Sequence, residues 1–339
     1  MRFDLIVPAA GIGRRCRPWS ATRPKPLLPI AGRPMLAHVL DELLPLGPAR
    51  IVLITGFLGE QIEAWTRATY PGIELVTVRQ DRLLGQSHAV LRARDHLTGA
   101  GLIVFPDMLF RLDPASLAAL DPAIDGAVFT ASVADRAGFA ITATGPDGLV
   151  TRLVEKPLQP MPGDPVIGMY WLRDMPRLIA AIETQIALGR AAPGGEYALA
   201  DAIGLTIEDG AQIATLPLRD WIGAGNNAAL LAANRWALTR MAPGAFAVDR
   251  PDSVIIQPCA IHPTAVLERS VVGPCASIGA GVVVRDSVVR DSIVDDGARI
   301  VGAVLAGSLI GRRATVAGRA RSWSAGDDAT AYSIETSAT

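Results

Sequence analysis

Three short regions carry the residues best suited to handling a polyphosphate. The first is Ala9-Ala10-Gly11-Ile12-Gly13-Arg14-Arg15, which follows the apolar run Leu5-Ile6-Val7. Its two glycines let backbone N–H groups approach a phosphate closely. Such a pair is by itself more often a turn, but two arginines follow it, and then Arg23-Pro24-Lys25-Pro26-Leu27. The prolines remove conformational freedom on both sides of one lysine. Fixed cations near a glycine loop suit a triphosphate, whose charge needs preorganised counter-charge. The second region is Val104-Phe105-Pro106-Asp107. A carboxylate at the end of an apolar strand can hold a divalent cation against phosphate oxygens, with a turn-forming Asp as the plain alternative. The third is Val154-Glu155-Lys156-Pro157. Its carboxylate can accept hydrogen bonds from sugar hydroxyls and its lysine can hold a phosphate, although adjacent opposite charges also mark solvated edges.

These residues need a scaffold, and the first half of the chain predicts one. Short apolar runs at Leu5–Val7, Ile51–Ile54, Leu75–Val78 and Leu102–Phe105 read as strands. Between them, Pro34 opens a helix with apolar residues Met35, Leu36, Val39, Leu40 and Leu43 at helical spacing. Leu58–Arg67 reads as a second helix, and Ser87 as the cap of a third running to Asp95. Such alternation predicts an α/β fold with a mostly parallel sheet, and ligands at the carboxyl ends of its strands. The rhythm changes near residue 241. Residues 241–252 hold Pro243, Gly244 and Pro251 and read as a linker between a domain of residues 1–240 and a second one. From 253 to 325, Val266, Val272, Ile278, Val283, Val289, Val294, Ile300, Leu305, Ile310 and Val316 recur every five or six residues. That period fits the inward positions of a parallel β-helix, with a polar tail at 326–339. Stacked coils have exposed ends, so this domain is expected to mediate self-association.

Composition narrows the choice of partner. The 339-residue chain is 50% hydrophobic and has a formal net charge of −1, which gives no global electrostatic reason to bind nucleic acid or an acidic membrane. No apolar stretch approaches the roughly 20 residues needed to span a bilayer. The cysteines Cys16, Cys259 and Cys275 are few, odd in number and widely spaced, as suits reduced thiols in a cytoplasm. Cys259 and His262 have the spacing of a zinc pair, but no second pair follows, so Cys259 reads as a small buried residue.

Taken together, the stretch from Leu5 to Leu36 resembles the signature of the sugar-1-phosphate nucleotidyltransferases, a family that includes glucose-1-phosphate thymidylyltransferases. The resemblance implies that Ala10, Gly11, Gly13, Arg15 and Lys25 bind the nucleoside triphosphate. It implies that Gln80 reads the base ahead of Gly85, that Asp107 holds Mg²⁺, and that Gly138, Glu155 and Lys156 bind the sugar phosphate. Arg15, Lys25 and Asp107 are then the catalytic residues. Gly195-Glu196-Tyr197 through Asp201 resembles the segment ahead of the last helix of the family's catalytic domain. Long-form members continue into a left-handed β-helix, which extends the resemblance over nearly the whole chain. The implied reaction is attack of a sugar 1-phosphate oxygen on the α-phosphorus of a nucleoside triphosphate, dTTP or UTP favoured, in a cytoplasmic homo-oligomer. One position departs from the pattern. Where the family carries a second metal-binding Asp in W-x-D-x-G, this chain has Trp221-Ile222-Gly223-Ala224-Gly225. Asp220 is near but not equivalent, because in an extended segment it points to the face opposite position 223. The departure leaves open a catalytically impaired homologue that serves as a nucleotide-sugar-binding regulatory or partner subunit.

Overall fold

The computed structural model describes residues 2–133, 135–192, 194–241, 251–318 and 324–332. Its two compact units interleave along the sequence. Met1–Gly11, Val39–Pro106 and Phe110–Trp221 form the first, while Ile12–His38, Asp107–Leu109 and the chain from Ile222 onward form the second. Most of the expected linker, residues 242–250, lies outside the described residues.

The first unit is built on a nine-stranded mixed sheet. Phe3–Ala9 lies between Ala100–Val104 and Arg50–Thr55, and Glu74–Arg79 flanks the latter, all four running parallel. These are the four strands expected from the apolar runs. Leu5, Ile6 and Val7 are fully buried, as strands covered on both faces must be. Asp164–Leu172 runs antiparallel to Ala100–Val104 and joins the remaining strands to the sheet. The second expected helix is Gly59–Thr69. The third is Gln86–Arg92, and Ser87 is not its cap. Gly85 takes the cap position, and the Ser87 hydroxyl instead donates to the Ala198 carbonyl at 3.0 Å.

The second unit joins the segment Ile12–His38 to the coil. Pro34 does not open a helix here. Ala31 and Gly32 both have positive φ and form a two-residue hairpin turn, so Arg33–Pro34 pairs back on Pro29–Ile30 and the helix starts at Met35. Further on, short strands stack in three parallel sheets, with Val254 opposite Val271 and Val271 opposite Val288, as a left-handed β-helix requires. Eight of the ten expected aliphatics point inward. At the other two the phase is off by one residue: Leu267 and Val284 are buried while Val266 is 44% exposed and Val283 half-buried. Each of these sits in an adjacent apolar pair, and neighbouring residues of a strand face opposite ways. The coil also runs past the expected boundary at 325, because Ser324–Ala325 and Thr330–Tyr332 extend two of the three sheets.

A separate core ties this coil to the segment Ile12–His38. Trp19, Leu28, Ile30 and Met35 pack with Leu230 and Ala233 of the helix Asn227–Leu238 and with Ile293 and Leu309 of the coil. Asn234 secures the junction. Its Oδ1 accepts from the Ala31 N–H at 2.8 Å and the Ser277 hydroxyl at 2.6 Å, and its Nδ2 donates to the Cys275 carbonyl at 3.1 Å.

Candidate active site

The second unit gathers the charges expected to act on phosphates. Gly13, at φ +69°, turns the chain into the short helical turn Arg14–Cys16. A Cβ there would meet Lys25 Cβ at 3.0 Å and Ser20 Cβ at 3.2 Å, so glycine permits the glycine loop and the Lys25 segment to touch. Lys25 opens another short turn, Lys25–Leu27, between its two prolines. Its Nζ donates to Asp107 Oδ2 at 2.7 Å, with the lysine side chain 12% exposed and the carboxylate 41% exposed. Burial opposes ionisation of Asp107, but Lys25 and then Arg15 outweigh it and hold the carboxyl below its ordinary value. Asp107 is therefore an ionised, reachable carboxylate, a donor type suited to one-point attachment of a divalent cation. Among the described residues no three His, Cys, Asp or Glu side chains converge to make a closed protein cage. The Ala224 N–H donates to the Asp107 carbonyl at 2.8 Å, and a Cβ on Gly225 would stand 3.6 Å from Arg15 Nη2. The segment bearing Gly223 thus runs beside Asp107 and Arg15.

The first unit carries the groups expected to hold base and sugar. The Ala10 carbonyl accepts from the Phe57 N–H, and Gly11 is exposed, with open space where a side chain would be. Gln80 follows the strand Glu74–Arg79 at the carboxyl edge of the sheet, and its N–H donates to the Thr55 carbonyl at 2.8 Å. Its side-chain Nε2 lies 3.0 Å from the Gly85 carbonyl and 3.0 Å from His88 Nδ1. Gly85, at φ +99°, has no room for a side chain, since a Cβ would sit 2.5 Å from the backbone N and O of Tyr197. Tyr197 pairs there through its N–H to the Leu84 carbonyl and its carbonyl to the Ser87 N–H.

Glu155 and Lys156 leave the end of the strand Val150–Val154. Lys156 Nζ is 3.2 Å from Glu155 Oε1, and the Glu155 N–H donates to Asp201 Oδ1 at 3.1 Å. Burial raises the Glu155 carboxyl above its usual range, against the pull of Lys156, and burial likewise raises Asp201. Tyr170 is buried beside both, and its hydroxyl is pushed up by burial and then by these carboxylates. Gly138 is exposed in the turn before the strand Ala140–Thr144, whose Ile141 pairs with Val154 just ahead of Glu155.

Residues 5–240 match the family described as nucleotidyl transferase. The chain belongs to that family. It is 26% identical over 223 residues to the UTP–glucose-1-phosphate uridylyltransferase AglF of Haloferax volcanii, covering 65% of this chain and 89% of that protein. It is 28% identical over 294 residues to a glucose-1-phosphate thymidylyltransferase of Streptomyces antibioticus, covering 83% and 79%. It is 32% identical over 238 residues to the bifunctional protein GlmU of Nitrosomonas eutropha, covering 67% of this chain and 50% of that protein, so it spans about half the length of that relative. Among solved structures, a UDP-glucose pyrophosphorylase complexed with UDP-glucose superposes with a TM-score of 0.62 at 19% identity, covering 71% of this chain and all of that one. A putative glucose-1-phosphate thymidylyltransferase from Bacillus anthracis gives 0.59 at 22% identity, covering 71% and 96%. At these identities the structural likeness is one of fold.

Two residues of this nucleotidyl transferase escaped the sequence reading. His88 reads as an ordinary helical residue, and nothing in the sequence signals its contact with Gln80. Asp201 was visible as part of a familiar segment without a role, and its role here is to receive the Glu155 backbone. Cys259 is buried, with Sγ donating to the Ile256 carbonyl, while His262 pairs with Thr264.

Proposed function

We propose that the chain transfers a nucleoside monophosphate from UTP or dTTP to a sugar 1-phosphate, releasing pyrophosphate. The observation that carries this reading is the Lys25–Asp107 pair with Arg15 beside it, at the end of the glycine loop. The uridylyl- and thymidylyltransferase relatives support the choice of base. An oxygen of the sugar phosphate forms a bond to the α-phosphorus as the bond to the β-phosphate bridge breaks. Arg15 and Lys25 stabilise the charge that accumulates on the phosphates. Gly11 and Gly13 let the backbone approach the triphosphate, and Gln80 with Gly85 receives the base. Glu155 accepts from sugar hydroxyls, Lys156 pairs with the sugar phosphate, and Gly138 leaves space for the sugar. Mg²⁺ would be held by Asp107 with phosphate oxygens and water, and would neutralise charge on the reacting phosphates.

The test is pyrophosphate release from UTP or dTTP with a panel of sugar 1-phosphates and Mg²⁺. Lys25→Ala and Asp107→Asn should each lower turnover at least about a hundredfold, because each removes a preorganised charge. Wild-type turnover in both variants overturns the assignment. The reading includes a cytoplasmic homo-oligomer. No described helix is long and apolar enough to cross a membrane, and the first coil leaves Val254 and Ile256 exposed.

A further inference from the structure

The Gln80 side chain is held in a way that bears on which base it accepts. A carboxamide nitrogen has two hydrogens, and Gln80 Nε2 has two partners at 3.0 Å, the Gly85 carbonyl and His88 Nδ1. A carbonyl oxygen only accepts, so Gly85 identifies this end of the amide as the nitrogen. The second contact then requires a lone pair on His88 Nδ1, since a proton there would set two donors face to face. Burial, followed by the nearby Arg92, favours the neutral ring, and a backbone hydrogen bond with Arg82 opposes them. With both amide hydrogens engaged, what remains is Oε1. Among the described residues no hydrogen bond reaches it, and it is not among the buried atoms sealed without a partner.

We propose that His88 is a positioning residue that makes Gln80 an acceptor-only reader, selecting bases that present an imide-type ring N–H. Uracil and thymine offer that hydrogen at N3. Cytosine, of the same size, has a lone pair there and would set acceptor against acceptor, as adenine would at its ring nitrogen. A polar site matched to one hydrogen-bond pattern rejects the mismatched ligand strongly, because desolvated groups are left unpaired. The proposal rests on the reading of Gln80 as the base-facing residue, and it adds the group that decides which end of the amide faces outward.

The experiment measures Mg²⁺-dependent binding of UTP, dTTP and CTP to the full-length protein by calorimetry, with steady-state turnover alongside. Wild type should favour UTP and dTTP over CTP by at least about a hundredfold. His88→Leu frees an amide hydrogen, so the ratio should fall at least about tenfold, through KM and Kd, with kcat on UTP changed less than about threefold. His88→Asn places an amide oxygen where Nδ1 stood and should keep most of the preference. A folded His88→Leu protein with the wild-type ratio, beside a Gln80→Ala protein that has lost UTP affinity, overturns the role of His88 alone. Gln80→Ala with undiminished UTP affinity instead removes the base-site reading and this inference with it.

Discussion

Replacing Arg23 with methionine should destabilise the second unit by about 3–5 kcal/mol, the usual cost of breaking one side of a buried ion pair. Arg23 Nη1 lies 3.0 and 2.9 Å from the two oxygens of Asp295, and Nη2 lies 3.4 Å from Asp296 Oδ2. Arg23 is 14% exposed and Asp295 only 4%, so solvent screening takes little from this pair. In Arg23→Met the Asp295 carboxylate stays buried with no cation beside it. The double variant Arg23→Met/Asp295→Leu removes that charge and should recover at least half of the loss. Full recovery is not expected, because Asp295 Oδ1 also accepts from the Asp296 N–H at 2.8 Å, and losing that bond costs about 1 kcal/mol. Urea unfolding, with amide hydrogen exchange resolving the second unit, measures the loss. The pH dependence supplies a second check. Burial already raises the folded Asp295 carboxyl above its ordinary value, and Arg23 restrains that rise. Without Arg23 the folded carboxyl climbs further and binds a proton more readily than the unfolded chain does. Between the unfolded and folded values stability therefore falls as pH rises. The deficit of Arg23→Met should be full above the folded value and shrink as the pH is lowered through it. A deficit under about 1 kcal/mol, or a double variant no more stable than the single, refutes the reasoning.

Gly223→Asp should shift the Mg²⁺ midpoint of turnover to lower concentration, since two carboxylates hold a hard cation better than one. An unchanged midpoint in the folded variant means that position 223 does not face the metal. Light scattering at micromolar concentration should give a mass above the 35.6 kDa of one chain, and a single-chain mass refutes self-association through the coil.

The parts of the molecule written in local periodicity were legible, and those that depend on distant partners were not. Four strands could be placed from apolar runs alone, because a sheet buried on both faces leaves no other use for Leu5-Ile6-Val7 or Ile51–Ile54. The coil could be read from its five-to-six-residue beat, but its phase at Val266-Leu267 could not, since either residue of such a pair can face inward. Pro34 misled because a proline suits a helix start and an extended segment equally, and the hairpin at Ala31-Gly32 decided between them. Ser87 misled because its hydroxyl is committed to Ala198, 111 positions away. Lys25 and Asp107 each stood out from local context, yet nothing local joined them across 82 residues. The coil was expected to serve association. Its part in seating the Lys25 segment came into view only with Asp295, and Asn234 binds the same segment at Ala31.

The interleaving of the two units also sets a schedule for synthesis. Arg23 and Asp295 are 272 positions apart, so at the usual pace of translation the loop emerges on the order of tens of seconds before the carboxylate that clamps it. The first unit can assemble earlier, since its segments end at Trp221. Through that interval Trp19, Leu28 and Ile30 lack Ile293 and Leu309, the last apolar partners of their core. The nascent chain therefore leaves this loop open to chaperones and proteases until nearly the last coil is made. A ribosome stalled before Ile293 leaves a product with Arg15, Lys25 and Asp107 in its sequence and only part of the core that underlies their segment.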